Sequence, residues 1–115
     1  MDWTRYQLQY RESYEGEDAL CNDVSGCREY TCPVGALREG GEVPWEPPIT
    51  GYPAVRCKAI GPDSITLLYT NYFSPHDRLS ETREVLLSLA RPAWSHSLGG
   101  GRYQYTHELS LTAKA

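Results

Sequence analysis

The sequence predicts a mostly β protein, a small antiparallel sandwich or barrel-like sheet, and three observations carry that prediction. From Arg102 to Thr112, Tyr103, Tyr105, His107, Leu109 and Leu111 alternate without a phase error with polar neighbours. That is the period of a half-buried strand. Arg5–Arg11 repeats the pattern, with Tyr6, Leu8 and Tyr10 on one face and Arg5, Gln7, Gln9 and Arg11 on the other. Short β-rich runs separated by turn residues fill 54–98. At 115 residues the chain has the size of one domain, 1–115, around one core.

Taken in order, Arg5–Arg11 is a strand, and Glu12–Gly26 reads as an acidic loop carrying Glu12, Glu15, Glu17, Asp18 and Asp23. Residues 33–53 hold five of the eight prolines and four of the ten glycines. This bars a central strand or long helix and predicts a long loop around Trp45. Ala54–Ile60 and Ser64–Phe73 form a hairpin across Gly61-Pro62-Asp63, with Val55 and Cys57 on one face of the first arm and Ile65, Leu67 and Tyr69 on one face of the second. Thr82–Leu89 reads as a strand because a meander follows through Trp94–Leu98 and Gly99–Gly101. A short helix near 78–91, capped by Asp77 or Ser80 and stopped by Pro92, is the alternative. The Arg102–Thr112 strand is expected to be central or near-central, with Tyr103, Tyr105, His107, Leu109 and Leu111 facing the core.

Charge narrows the function classes. Residues 1–48 carry ten acids and four bases, and residues 49–115 five acids and seven bases. An acidic front half without a Lys/Arg patch argues against nucleic-acid binding. No stretch has the length and apolarity of a membrane helix, and no apolar leader is visible. The expected location is cytoplasmic, with a secreted mature form as the alternative.

No constellation of catalytic residues stands out. Cys21, Cys27 and Cys32 follow C-x5-C-x4-C, which fits paired zinc ligands poorly. The expectation is free thiols and no metal, with disulfides as the alternative. Ser74, His76 and Asp77 are sequence neighbours, whereas a triad is set by spatial geometry. His107 is expected to be a core histidine held by a hydrogen bond, and His96 could be a surface residue or a site member. No cofactor motif is present.

These readings favour a small non-enzymatic protein-interaction module, of the inhibitor, immunity or phage and mobile-element accessory kind. Its acidic surface would meet a basic partner, with Glu12, Glu15, Glu17, Asp18 and Asp23 steering association and Trp45 as the aromatic anchor. The alternative is a ligand- or carbohydrate-binding β-sandwich that stacks a sugar on Trp45, Trp94 or exposed tyrosines.

Overall fold

Period-two alternation builds seven strands: β1 Tyr6–Glu17, β2 Asp23–Pro33, β3 Ala54–Ile60, β4 Ser64–Asn71, β5 Glu81–Ser88, β6 Ala93–Gly100 and β7 Tyr103–Ala113. The computed structural model describes residues 2–17, 20–73, 79–100 and 103–114. All pairings between the strands are antiparallel, in two packed sheets of order β2-β1-β7-β6 and β3-β4-β5. The fold is a small β-sandwich.

The inner faces interdigitate as the alternation requires. Leu8 and Tyr10, Leu109 and Leu111, Val55 and Cys57, Ile65, Leu67 and Tyr69, and Val85 and Leu87 form one buried cluster. β7 lies between β1 and β6, so the longest unbroken alternation is an interior strand. The strand reading also holds at Glu81–Ser88; the helix alternative fails there because Val85 and Leu87 are buried while Leu86 is exposed. Asp77 lies outside the described residues.

The 33–53 segment is the expected loop, and it works as a strap joining the two sheets along one side. Thr31 and Glu46 exchange backbone hydrogen bonds of 3.0 and 2.8 Å at the free edge of β2. Val43 N–H donates to Val55 O (2.9 Å) and Cys57 N–H to Gly41 O (2.9 Å) at the edge of β3. Covering the edge of β3 and the Thr31 end of β2 shortens the template for unwanted pairing. The strap also sends Leu37, Val43 and Trp45 into the core. Gly40, at φ 82°, supplies the left-handed residue the strap needs before it reaches β3.

Three expectations are corrected. The acidic segment after Arg11 is a hairpin, not a loop: β1 runs to Glu17 and β2 starts at Asp23, in continuous register from Gln7↔Pro33 to Glu17↔Asp23. Acids are depleted in strands, and here cross-strand pairing outweighs that preference. Trp45 is only 7% exposed and packs on Tyr10 at 6.1 Å between ring centroids. Tyr103 and Tyr105 share the inner-face phase with Leu109 yet are 37% and 38% exposed, not core. Their exposure follows from a length mismatch. β1, β2 and β7 are 11 or 12 residues long and the strands of the other sheet only seven or eight. The distal ends of the long strands therefore project past the sandwich as an arm, with an inner face that the second sheet does not cover.

Candidate functional site: the projecting arm and its tyrosine groove

The arm continues the same alternation that fills the core. On β1 the inner-face series runs Leu8, Tyr10, Glu12, Tyr14; on β2, Cys32, Tyr30, Arg28, Gly26; on β7, Leu109, His107, Tyr105, Tyr103. Past the core this series lines a concave surface. One cleft, of ≈ 330 Å³, is lined by Glu12, Tyr14, Arg28, Tyr103 and Tyr105. A second, of ≈ 360 Å³, shares Glu12 and Arg28 and continues along Tyr30 to Ile49, Tyr52 and Pro53 of the strap. Together they form a groove that crosses β7, β1 and β2 and reaches the strap.

Tyrosines wall this groove. The ring centroids of Tyr103 and Tyr105 are 6.4 Å apart, and those of Tyr105 and Tyr14 6.0 Å. The Tyr14 ring lies directly over Gly26, its cross-strand partner: a β-carbon built at Gly26 would come within 2.6 Å of Tyr14 Cζ. Only glycine leaves room for that ring position. Glu12 and Arg28 face each other across β1 and β2 at the waist of the groove. Arg28 has no hydrogen bond or ion pair among the described residues, and Glu12 accepts only from the Tyr10 hydroxyl, at 3.3 Å.

Beneath the groove lies a polar cluster. Tyr10 Oη is 2.6 Å from His107 Nδ1, and Tyr69 Oη is 2.9 Å from His96 Nε2. The two imidazoles stack nearly parallel, with centroids 4.8 Å apart and an interplanar angle of 8°. Asn71 Nδ2 donates to Tyr69 Oη at 2.8 Å, so the Tyr69 hydroxyl is free to give its own proton to His96 Nε2. That assignment leaves the His96 proton on Nδ1, which has no partner among the described residues. Tyr10 likewise donates to Glu12 and accepts from His107 Nδ1–H. Burial pushes the His96 imidazole down to about 4. It lowers His107 too, against the opposing pull of the Glu12 carboxylate. Burial raises both phenols, Tyr69 to about 12. At neutral pH these groups are uncharged, and the bonds of Tyr10 to Glu12 and His107 tie the cluster to the groove. His107, 6% exposed, is thus the hydrogen-bonded core histidine expected from its strand phase.

The anticipated acids are divided between the two faces of the arm. Glu12 points into the groove, whereas Glu15, Glu17 and Asp23 are exposed on the outer face, Glu17 directly opposite Asp23. Asp18 lies outside the described residues, as do Ser74, His76 and Asp77. Arg11, on the outer face, lies 3.6 Å from Glu29 and donates from Nε to Cys27 Sγ at 3.1 Å. The four cysteines are free thiols: Cys21 and Cys27 exposed, Cys32 and Cys57 buried. Among the described residues no group of His, Cys, Asp and Glu is arranged to hold a metal ion, and no helix is long and apolar enough to cross a membrane.

Arg28, Tyr14 and the groove itself were missed by sequence reasoning. The available signal was the phase of β1, which runs past Tyr10 through Glu12 to Tyr14 unbroken. No family model, no curated protein and no solved structure matches the chain.

Proposed function

We propose that this chain is a non-enzymatic protein-interaction module that acts in the cytoplasm and grips its partner with the projecting arm. Inhibitors, immunity proteins and phage or mobile-element accessory proteins act by occupancy of this kind. The supporting observation is the uncovered inner face of the arm, where Tyr14, Tyr103 and Tyr105 surround Arg28, which has no partner among the described residues. Tyrosine and arginine are the side chains enriched at interface centres, because each brings contact area and directional hydrogen bonds together. Glu15, Glu17 and Asp23 on the outer face would attract a basic partner and orient its approach. The side-by-side placement of Glu17 and Asp23 supports this role, since like charges directly opposite on paired strands cost stability. Free thiols match a reducing compartment.

A second reading, a carbohydrate-binding module, rests on the same tyrosine row. Trp45 is packed into the core and Trp94 is partly buried against it, so a sugar would stack on tyrosine rings instead. Affinity capture from cells of the source organism tests the first reading. One protein should be retained by the wild type and lost with Tyr105→Ala and with Arg28→Ala, while thermal unfolding of both variants stays near wild type. Equal retention by all three would discard the arm as the binding surface. Saturable binding of a soluble tetrasaccharide, without protein capture, would favour the second reading.

A further inference from the structure

We infer that the groove takes a proline-rich segment of the partner in the polyproline II conformation, with one basic residue seated at Glu12. The inference rests on the protein-interaction reading above and adds the chemistry of the occupant.

The polar groups of the groove are chiefly phenol hydroxyls, which can both donate and accept, together with one guanidinium and one carboxylate. Tyr14, Tyr30, Tyr103 and Tyr105 make ring contacts but no hydrogen bond from their hydroxyls among the described residues, and Arg28 adds a free guanidinium. Glu12 is the carboxylate of the groove, and it faces Arg28 across β1 and β2. Backbone carbonyls can take Arg28 and the hydroxyls as donors, and a basic side chain can take Glu12. A strand segment fits poorly, because the groove crosses the strands on the sheet face, where a strand lying in it has no edge to pair with. A proline-rich segment fits: prolines have no N–H, and the polyproline II backbone makes no internal hydrogen bonds, so its carbonyls are free to accept. Aromatic-lined grooves bind such segments at low ordering cost, with proline rings packed between aromatic side chains. The tilted pairs Tyr103–Tyr105 and Tyr105–Tyr14, inclined at 31° and 39°, offer ring faces for this packing.

Dimensions and charge agree. The groove crosses three strands spaced about 4.8 Å apart and then reaches the strap, about 15 Å in all. That length holds about five residues at about 3.1 Å each. Glu12 receives the cation, and Glu15, Glu17 and Asp23 lie on the opposite face of the same hairpin. A second copy of this chain is a poor occupant of the adjoining β2 edge. Antiparallel self-pairing centred on Gly26, which uses the whole free stretch, would set Asp23 against Glu29 twice, like charge on like charge.

Titration with a synthetic peptide of consecutive prolines followed by one arginine tests the proposal, read by tyrosine fluorescence and by chemical shifts. Saturable binding is expected, weakened about tenfold or more by Tyr105→Ala and by Glu12→Gln. Gly26→Ala should weaken it too, because the added methyl displaces the Tyr14 ring while leaving the core intact; unchanged thermal unfolding would check this. A glycine-serine peptide with the same arginine should bind far more weakly. Absence of saturable binding by the proline peptide, equal affinity for the glycine-serine control, or binding unaffected by the three substitutions would overturn the inference. If cellular capture still depends on Tyr105 while the proline peptide fails, the occupant proposed here is wrong and the interaction reading stands.

Discussion

His96 and His107 show how one side chain's surroundings become a property of the whole fold. Both imidazoles are neutral in the folded protein, pressed together and desolvated, with Tyr69 and Tyr10 as hydrogen-bond partners. An imidazole whose pKa drops on folding binds its proton in the unfolded chain first. Its contribution is therefore complete above the ordinary value of 6.5 and is lost as the pH falls from there toward about 4. His107 shifts in the same direction. Allowing for the partial exposure of His96, the combined loss is expected to be on the order of 2 kcal/mol. Urea denaturation at pH 7 and at pH 4.5 measures it, and His96→Gln should reduce the difference between the two. An equal difference in wild type and variant would assign the acid sensitivity to other groups. Trp45 is the second residue whose place changes its meaning. With its ring in the core, Trp45→Ala should lower stability by about 3–5 kcal/mol, as removal of a buried aromatic does. A variant that kept wild-type stability would contradict the packing described here.

Strand by strand, the same alternation has two meanings, depending on what covers it. On β7, Leu109 and Tyr105 share one face and one phase, but the second sheet reaches only the first of them. Leu109→Ala should cost about 2–5 kcal/mol. Tyr105→Ala should cost well under half of that, because much of its ring is already in water. Chemical denaturation of the two variants compares them directly; similar losses would mean that the arm is covered after all. This contrast also marks how far the sequence could be read. The alternation in Tyr6–Tyr10 and in Tyr103–Leu111, the turn at Gly61-Pro62-Asp63 and the proline-rich strap were legible because each is a local pattern. The overhang was not, since it depends on the relative lengths of two sheets that meet only through non-local packing. The hairpin beyond Arg11 was hidden for another reason. Its turn lies in the acidic stretch, and its partners are β2, whose own residues are mostly polar, and β7, which pairs with it from the far end of the sequence. Of the anticipated site, the acids were visible as a cluster, but their division between an inner and an outer face follows from register alone. The pairing of His96 with His107 is likewise a register fact, set by the β6–β7 alignment.

Across the molecule, the sandwich separates a stable base from a charged, projecting arm, giving a shape of 50 × 32 × 26 Å. The strap ties the two sheets together along one side, bridging β3 and the Thr31 end of β2, and the arm carries Glu15, Glu17 and Asp23 far from the core. This separation allows the electrostatics of the arm to be changed without loss of fold. Replacing Glu17 by Lys puts a cation opposite Asp23 and turns a repulsive cross-strand pair into an attractive one, which should raise stability by a few tenths of a kcal/mol up to about 1. The same change should slow association with a basic partner. Charges at the rim of an interface act through long-range attraction during approach, which salt screens over about 10 Å at 0.1 M. For the double variant Glu15→Lys and Glu17→Lys, the association rate at low ionic strength should fall and its dependence on salt should flatten, with the dissociation rate nearly unchanged. Tyr105→Ala should do the reverse, speeding dissociation through loss of buried contact while the salt dependence of association stays as in the wild type. Stopped-flow or surface-capture kinetics at several salt concentrations, run with the captured partner, separates the two effects. If the double lysine variant gained stability but associated at the wild-type rate at every salt concentration, the outer-face acids would have no part in steering. Recognition would then rest on the tyrosine groove alone.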